Sequence, residues 1–352
     1  MYESLALDLT PQAASAWFGL ALGLAFGALG LLTGFCLRRA LIGDDRRQAG
    51  GVWLLALAVA ILGTQLAIGQ DLISFDGHRF VTTDIPVLAI ALGGVLFGIG
   101  MVLARGCIGR LWVLSGTGNL RALTVIVVAA IVTHATLKGV LAPLRTALQS
   151  QTLSLDSGTL PGAPMLWTGL LVAAGLWAAV RSGNRPIVLI GAIALGLLVP
   201  LGWVGTGFVL FDDFDPIAME SLSFASPSAE SLFYVIAATA VAPGFGTGLM
   251  AGVLGGSLIA ALVFGQFRLQ SFETPQQTLR YLSGAVLMGT GAVLAGGCTI
   301  GAGLAGVPSL GISAVLALVS IIVGVLGTNA LISRGVSESG EQTTTPMPQP
   351  AE

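Results

Sequence analysis

Apolar residues in this chain are gathered into long runs with little polar interruption, the pattern of segments buried in hydrocarbon rather than of one-sided soluble helices. Nine runs stand out: 16–37, 52–70, 85–105, 121–142, 164–180, 186–204, 229–267, 277–296 and 309–332. About 20 apolar residues span a bilayer, so each run predicts one transmembrane helix, except that the seventh is too long for one straight span. Pro243 and the glycines of PGFGTG at 243–248 divide it into a short arm and a full helix. After Arg334 the chain turns polar (GVSESGEQTTTPMPQPAE). This leaves 1–334 as a single transmembrane domain and predicts a disordered cytoplasmic tail over 335–352.

Composition reinforces this all-α polytopic reading. Charged residues make up 9% of the 352, hydrophobic residues 55%, and there are 50 glycines. Soluble domains carry about 25% charged residues, so a cytosolic enzyme is excluded. A net charge of −2 offers no basic surface to a nucleic acid. The glycines suit close helix packing within the lipid bilayer. Cation placement sets the orientation. With the N-terminus outside, 12 of the 15 cations fall in inner loops, and only Arg79, Lys138 and Arg145 fall outside. The C-terminus is then cytoplasmic. No Lys or Arg precedes the first apolar run, so no cleaved signal peptide is expected.

Two blocks repeat. FGIGMVLARGC at 97–107 matches MGTGAVLAGGC at 288–298 in 7 of 11 positions, and GLAFGALG at 23–30 matches GLMAGVLG at 248–255 in 5 of 8. The chain therefore reads as two pseudo-symmetric repeats, about 16–142 and 229–332, a common build for membrane transporters with the site between the halves. The first pairing makes the third and eighth helices antiparallel, whereas the second makes the first and seventh parallel, so full inversion stays open.

Each copy of the longer block ends in Gly-Cys: Gly106-Cys107 and Gly297-Cys298, the latter followed by Thr299. Glycine-dense breaks at membrane depth survive where protein or a water-filled cavity satisfies the backbone. Short re-entrant helices starting there would aim N–H groups and positive dipole ends at the gap, an arrangement that attracts anions. A thiol adds a weak, polarisable donor, although a membrane cysteine is also simply a small buried hydrophobe. No CxxC pair is present among the three cysteines, so neither a zinc knuckle nor a thioredoxin-type redox motif is written here, and no metal or cofactor is expected.

Charge adds to this. From Val87 to Ser150 there is no acid, while Arg105, Arg110, Arg121, His134, Lys138 and Arg145 are present. That favours an anionic substrate, with positive-inside anchoring as the competing explanation for the arginines. Acidic residues fall in predicted loops and the tail, which argues against carboxylate-based ion coupling. His134 and Lys138 lie four apart on one helix face and are candidates for the path.

The segments GFCLRRAL (34–41), ARGCIG (104–109) with GTGNLRAL (116–123), and GGCTIG (296–301) resemble the YeeE/YedE family of bacterial inner-membrane proteins. That resemblance covers nearly the whole chain. It implies a nine-helix bundle with re-entrant helices and pseudo-symmetric halves, and a path for thiosulfate lined by three cysteines matching Cys36, Cys107 and Cys298. It also implies that any sulfurtransferase partner is a separate cytoplasmic chain. RGCIGR departs from the family pattern in its flanking arginines, and Cys36 has no mate in the second half, where Ala261 stands. Two other readings remain: a sensor that binds a sulfur anion, and a thiol-based membrane oxidoreductase or sulfurtransferase.

Overall fold

The computed structural model describes residues 9–212 and 214–341, with side chains through Ser333. In chain order the helices are α1 (Pro11–Thr33), α2 (Leu37–Ile42), α3 (Arg46–Gly69), α4 (Val87–Leu103), α5 (Ile108–Gly116), α6 (Leu120–Lys138), α7 (Ala142–Gln149), α8 (Pro164–Arg181), α9 (Pro186–Val204), α10 (Ala225–Ile236), α11 (Phe245–Val263), α12 (Pro275–Leu294) and α13 (Ile312–Glu341). Two stretches, Gly205–Val209 and Thr299–Gly306, are wound as π-helix. The only sheet among the described residues pairs β1 (Asp84–Ile85) with β2 (Leu153–Ser154), antiparallel. Nine helical spans among the described residues are long and apolar enough to cross a membrane. The long seventh run divides into α10 and α11 on either side of Pro243. α13 continues past 334 to Glu341, and the rest of the expected tail lies outside the described residues.

Local chemistry explains where the helices begin. Thr10 accepts the Ala13 N–H at 3.2 Å, Asn119 the Ala122 N–H at 3.1 Å and Thr274 the Gln277 N–H at 3.2 Å, each a side-chain cap on an otherwise orphaned amide. Proline opens α1, α8, α9 and α12, where its missing N–H costs nothing.

The helices converge on two ends. At one, which we call the mouth, Leu155 bonds to Thr83, Leu160 to Leu310 and Gln12 to Ala242. At the other, Arg47 donates to the Arg181 carbonyl, Asn184 to that of Gln48, and Leu120 to that of Gln270.

Glycine seams hold the bundle together. Gly19, Gly23 and Gly27 of α1 lie against α11, and Gly248, Gly252 and Gly256 of α11 lie against α1, so closely that a Cβ at any of them would overlap the partner's backbone. Residue numbers rise together along this seam, so the two helices are parallel. α3 and α9 pack in the same parallel sense, with Gly196 against Ala56 and Gly63 against Pro200. α4 runs parallel to α13 (Gly94 and Gly98 against Ala317 and Ile321), and α12 parallel to α6, where Thr133 Oγ1 meets the Gly289 carbonyl at 3.4 Å. α4 and α12 are antiparallel, with Gly93 on Gly291 and Gly100 on Gly284.

Exchanging α1–α6 for α9–α13 maps these contacts onto themselves. The shorter sequence match, between α1 and α11, therefore joins the two faces of one seam, and the counterpart of α1 in this exchange is α9.

Candidate functional site

All three cysteines occupy the same position in the same local motif. Each follows a helix that ends in a left-handed residue: Gly34 (φ 63°), Arg105 (φ 57°) or Gly296 (φ 74°). Two residues later the cysteine is the N-cap of the next helical piece: Cys36 for α2, Cys107 for α5, Cys298 for the π-helical Thr299–Gly306. The first two breaks are closed by Schellman-type bonds, Phe35 N–H to the Gly30 carbonyl at 3.2 Å and Gly106 N–H to that of Met101 at 3.1 Å. Cys298 Sγ accepts the Gly301 N–H at 3.3 Å.

The pieces that these cysteines cap start at one place. Cys36 and Cys107 are thiol neighbours, and Thr299 stands beside Cys107. Gly109 of α5 faces Ile300 and Phe224, and Ser223 faces Gly301. Phe224 precedes α10, so α10 starts here as well, and its ring lies 5.0 Å from that of Phe26. Under the exchange of halves, α10 is the counterpart of α2, so the position matching Cys36 falls at Ser223–Phe224. Ala261 instead lies inside α11. Four helix starts thus meet, and each contributes amides not bonded within its helix.

Two observations mark this meeting point as polar and closed. Thr299 Oγ1 is buried, with the Cys107 thiol beside it. Cys36, Cys107 and Cys298 are 6%, 3% and 0% exposed, so among the described residues the three cysteines are closed off from solvent. Arg110 neighbours both Cys36 and Cys107 and donates from Nη1 to the Gly30 carbonyl at 3.0 Å.

From the mouth, a cavity of about 500 Å³ reaches Ser223 and Gly301, whose N–H bonds Cys298 Sγ. His78, Arg79, Lys138, Glu220, Trp203 and Glu230 line it. Arg79 is also a charge neighbour of Cys298. Burial and then the adjacent Arg79 push His78 down to about 4, so it lines the cavity as a neutral aromatic ring against Trp203 and Phe75.

Several candidate residues occupy other places. Lys138 lines the cavity, but His134 stacks on Phe233 at 5.2 Å and is not among the lining residues. Arg105 is exposed and neighbours Arg38, which in turn neighbours Arg280. Gly106 and Gly297 are buried within their turns, where a Cβ on Gly297 would press on Ala302. Arg121 reaches Glu273 at 3.7 Å.

The acids were misjudged from sequence. Glu230 lies on α10, and with Glu220 it faces the cavity. Arg79 and Ser223 were missed. Arg110, one of the arginines that the charge pattern singled out, lies three residues after Cys107 on the same helix face. Glu220, Glu230, Arg79 and Lys138 come from four separate segments, and only the fold brings them together.

This is a multi-pass membrane transporter, and the chain belongs to the sulphur transport family, whose pattern matches residues 25–327. It is 26% identical over 309 residues to the thiosulfate transporter TsuA of Escherichia coli K12, covering 79% of this chain and 83% of that protein. It is also 26% identical over 347 residues to the thiosulfate transporter TsuA of Spirochaeta thermophila, covering 88% and 96%. Both relatives are named as transporters, in keeping with a protein that moves its substrate without chemistry on it.

Proposed function

We propose that this protein imports thiosulfate across the bacterial inner membrane, passing the dianion from the mouth cavity through the meeting point of four helix starts. The observation that carries this reading is the shared geometry of Cys36, Cys107 and Cys298, three buried N-cap thiols gathered beneath a cation-bearing cavity. A dianion entering hydrocarbon loses its hydration at great cost. Helix-start amides, the buried Thr299 hydroxyl and Arg110 stand where they can replace that water. The thiols donate weakly to the terminal sulfur of thiosulfate, a soft acceptor. They do so without adding fixed charge that would trap the ion.

The contact exchange supports two inverted halves, α1–α6 and α9–α13, wider than the two repeated sequence blocks. α2, α5, α10 and Thr299–Gly306 then act as re-entrant elements, two from each side. The cation bias favours a mouth that faces outward, with the N-terminus outside and the C-terminus cytoplasmic. A separate cytoplasmic sulfurtransferase is the natural recipient of the ion.

Radiolabelled thiosulfate uptake into proteoliposomes tests this, with sulfate and selenite as competitors. A hydrogen bond to a charged group contributes about 1.5–3 kcal/mol. Cys107→Ala and Cys298→Ala should therefore each lower uptake at least tenfold. Undiminished uptake in both variants would refute the thiol path, and thiosulfate binding without flux would make the protein a sensor.

A further inference from the structure

The mouth cavity carries two cations and two carboxylates, and the reading of it as an anion entrance does not use the carboxylates. Arg79 comes from the segment between α3 and α4, Lys138 from the end of α6, Glu220 from the segment before α10, and Glu230 from α10. They act on one another: Glu220 is a charge neighbour of Glu230 and Arg79, and Glu230 of Lys138 and Arg79. Among the described residues none of the four is locked in a direct ion pair, since those closer than 4.0 Å are Arg39–Asp45 and Arg121–Glu273. A smaller cavity of about 310 Å³ on the α1 side shares Glu220 and Glu230 and adds Asp215, Gln12 and Ser15. The start of α11 contributes only Gly244, Phe245 and Gly246 to that wall. His78 completes the titratable groups facing the carboxylates, and it is held neutral.

With all four groups ionised, their charges cancel, and Asp215 in the adjoining cavity adds one further negative charge. A dianion that takes up Arg79 and Lys138 leaves two carboxylates facing two further negative charges in a confined space. The site then holds an excess negative charge that a proton relieves.

We propose that thiosulfate binding at the mouth is linked to uptake of a proton by the Glu220–Glu230 carboxylate pair. This rests on the reading of the cavity as the thiosulfate entrance. Glu220 is already poised for it. Burial, and then Glu230, push its carboxyl up to about 7, against the opposing pull of Arg79. A bound dianion raises it further. Affinity must therefore increase as pH falls, over the window between the raised value in the complex and about 7, and level off for Glu220 below that. Thiosulfate itself remains a dianion across the window, so its own titration contributes nothing.

The test is isothermal titration of purified full-length protein with sodium thiosulfate between pH 6 and 9, in buffers of differing ionisation heat. The wild-type dissociation constant should tighten as pH drops toward 7, approaching tenfold per pH unit for one linked proton, and the buffers should report net proton uptake. Glu220→Gln should flatten the dependence, while Glu220→Asp, which keeps a carboxyl, should restore it. A pH-independent wild-type affinity overturns the proposal, as does an unchanged slope in Glu220→Gln and Glu230→Gln. If the glutamine variants fail to fold, the wild-type slope and buffer heats still decide. Wild-type protein that binds no thiosulfate at any pH would instead sink the parent reading. Protein that binds it with a flat pH profile would sink only the proton linkage.

Discussion

The breaks at Cys107 and Cys298 share one design and differ in what surrounds it. Both follow a left-handed residue, and both cysteines cap a helical piece aimed at the same meeting point. At the Cys298 break, glycine holds the left-handed position, the following piece is π-wound, and the nearby cation is Arg79, open to the cavity and shadowed by Glu220. At the Cys107 break, arginine holds that position, an ordinary α-helix follows, and Arg110 sits beside two thiols. Arg38, Arg105 and Arg280 gather beyond it. The same backbone turn thus serves an end where cations and carboxylates share one cavity and an end where a buried arginine meets thiols. In the proposed path, an anion is received at the first and drawn on by the second.

The cations should separate the two ends most sharply. Arg110→Gln removes a buried charge next to Cys36 and Cys107. Losing one partner of a desolvated charge contact costs on the order of 3 kcal/mol, so proteoliposome uptake should fall about a hundredfold. Arg79→Gln alters a site already open to water and should raise the half-saturating thiosulfate concentration only several-fold. Equal losses in the two variants would erase the distinction.

The left-handed positions offer a finer probe. A Cβ at Gly296 would meet nothing within 4 Å, so Gly296→Ala tests backbone strain alone. A side chain in that conformation costs roughly 1 kcal/mol, and the melting temperature of detergent-solubilised protein should drop accordingly. Arg105→Gly should raise it by a comparable amount. Movement in the opposite directions would show that the two turns are not equivalent.

Much of this architecture was legible in the residues. Long apolar runs gave the spans because hydrocarbon demands them, and the FGIGMVLARGC match located two breaks because glycine and cysteine were kept in register. The parallel α1–α11 seam misled the repeat alignment. Glycines spaced four apart on touching helices resemble each other by function, since both faces need to be bare. The third break escaped pairing because its counterpart carries Ser223 and Phe224 rather than cysteine. Glu220 was beyond reach for a different reason: it looks like any loop acid until the chain segments close around it.

The bare face of α1 also bears on how the protein is made. Its mate begins at Phe245, so α1 is synthesised and inserted long before α11 exists. During that interval a strip of uncovered peptide backbone faces lipid or whatever insertion machinery shelters it. An element made late in synthesis finishes the first helix, and a chain interrupted before α11 would be left with an adhesive surface and nothing to close it.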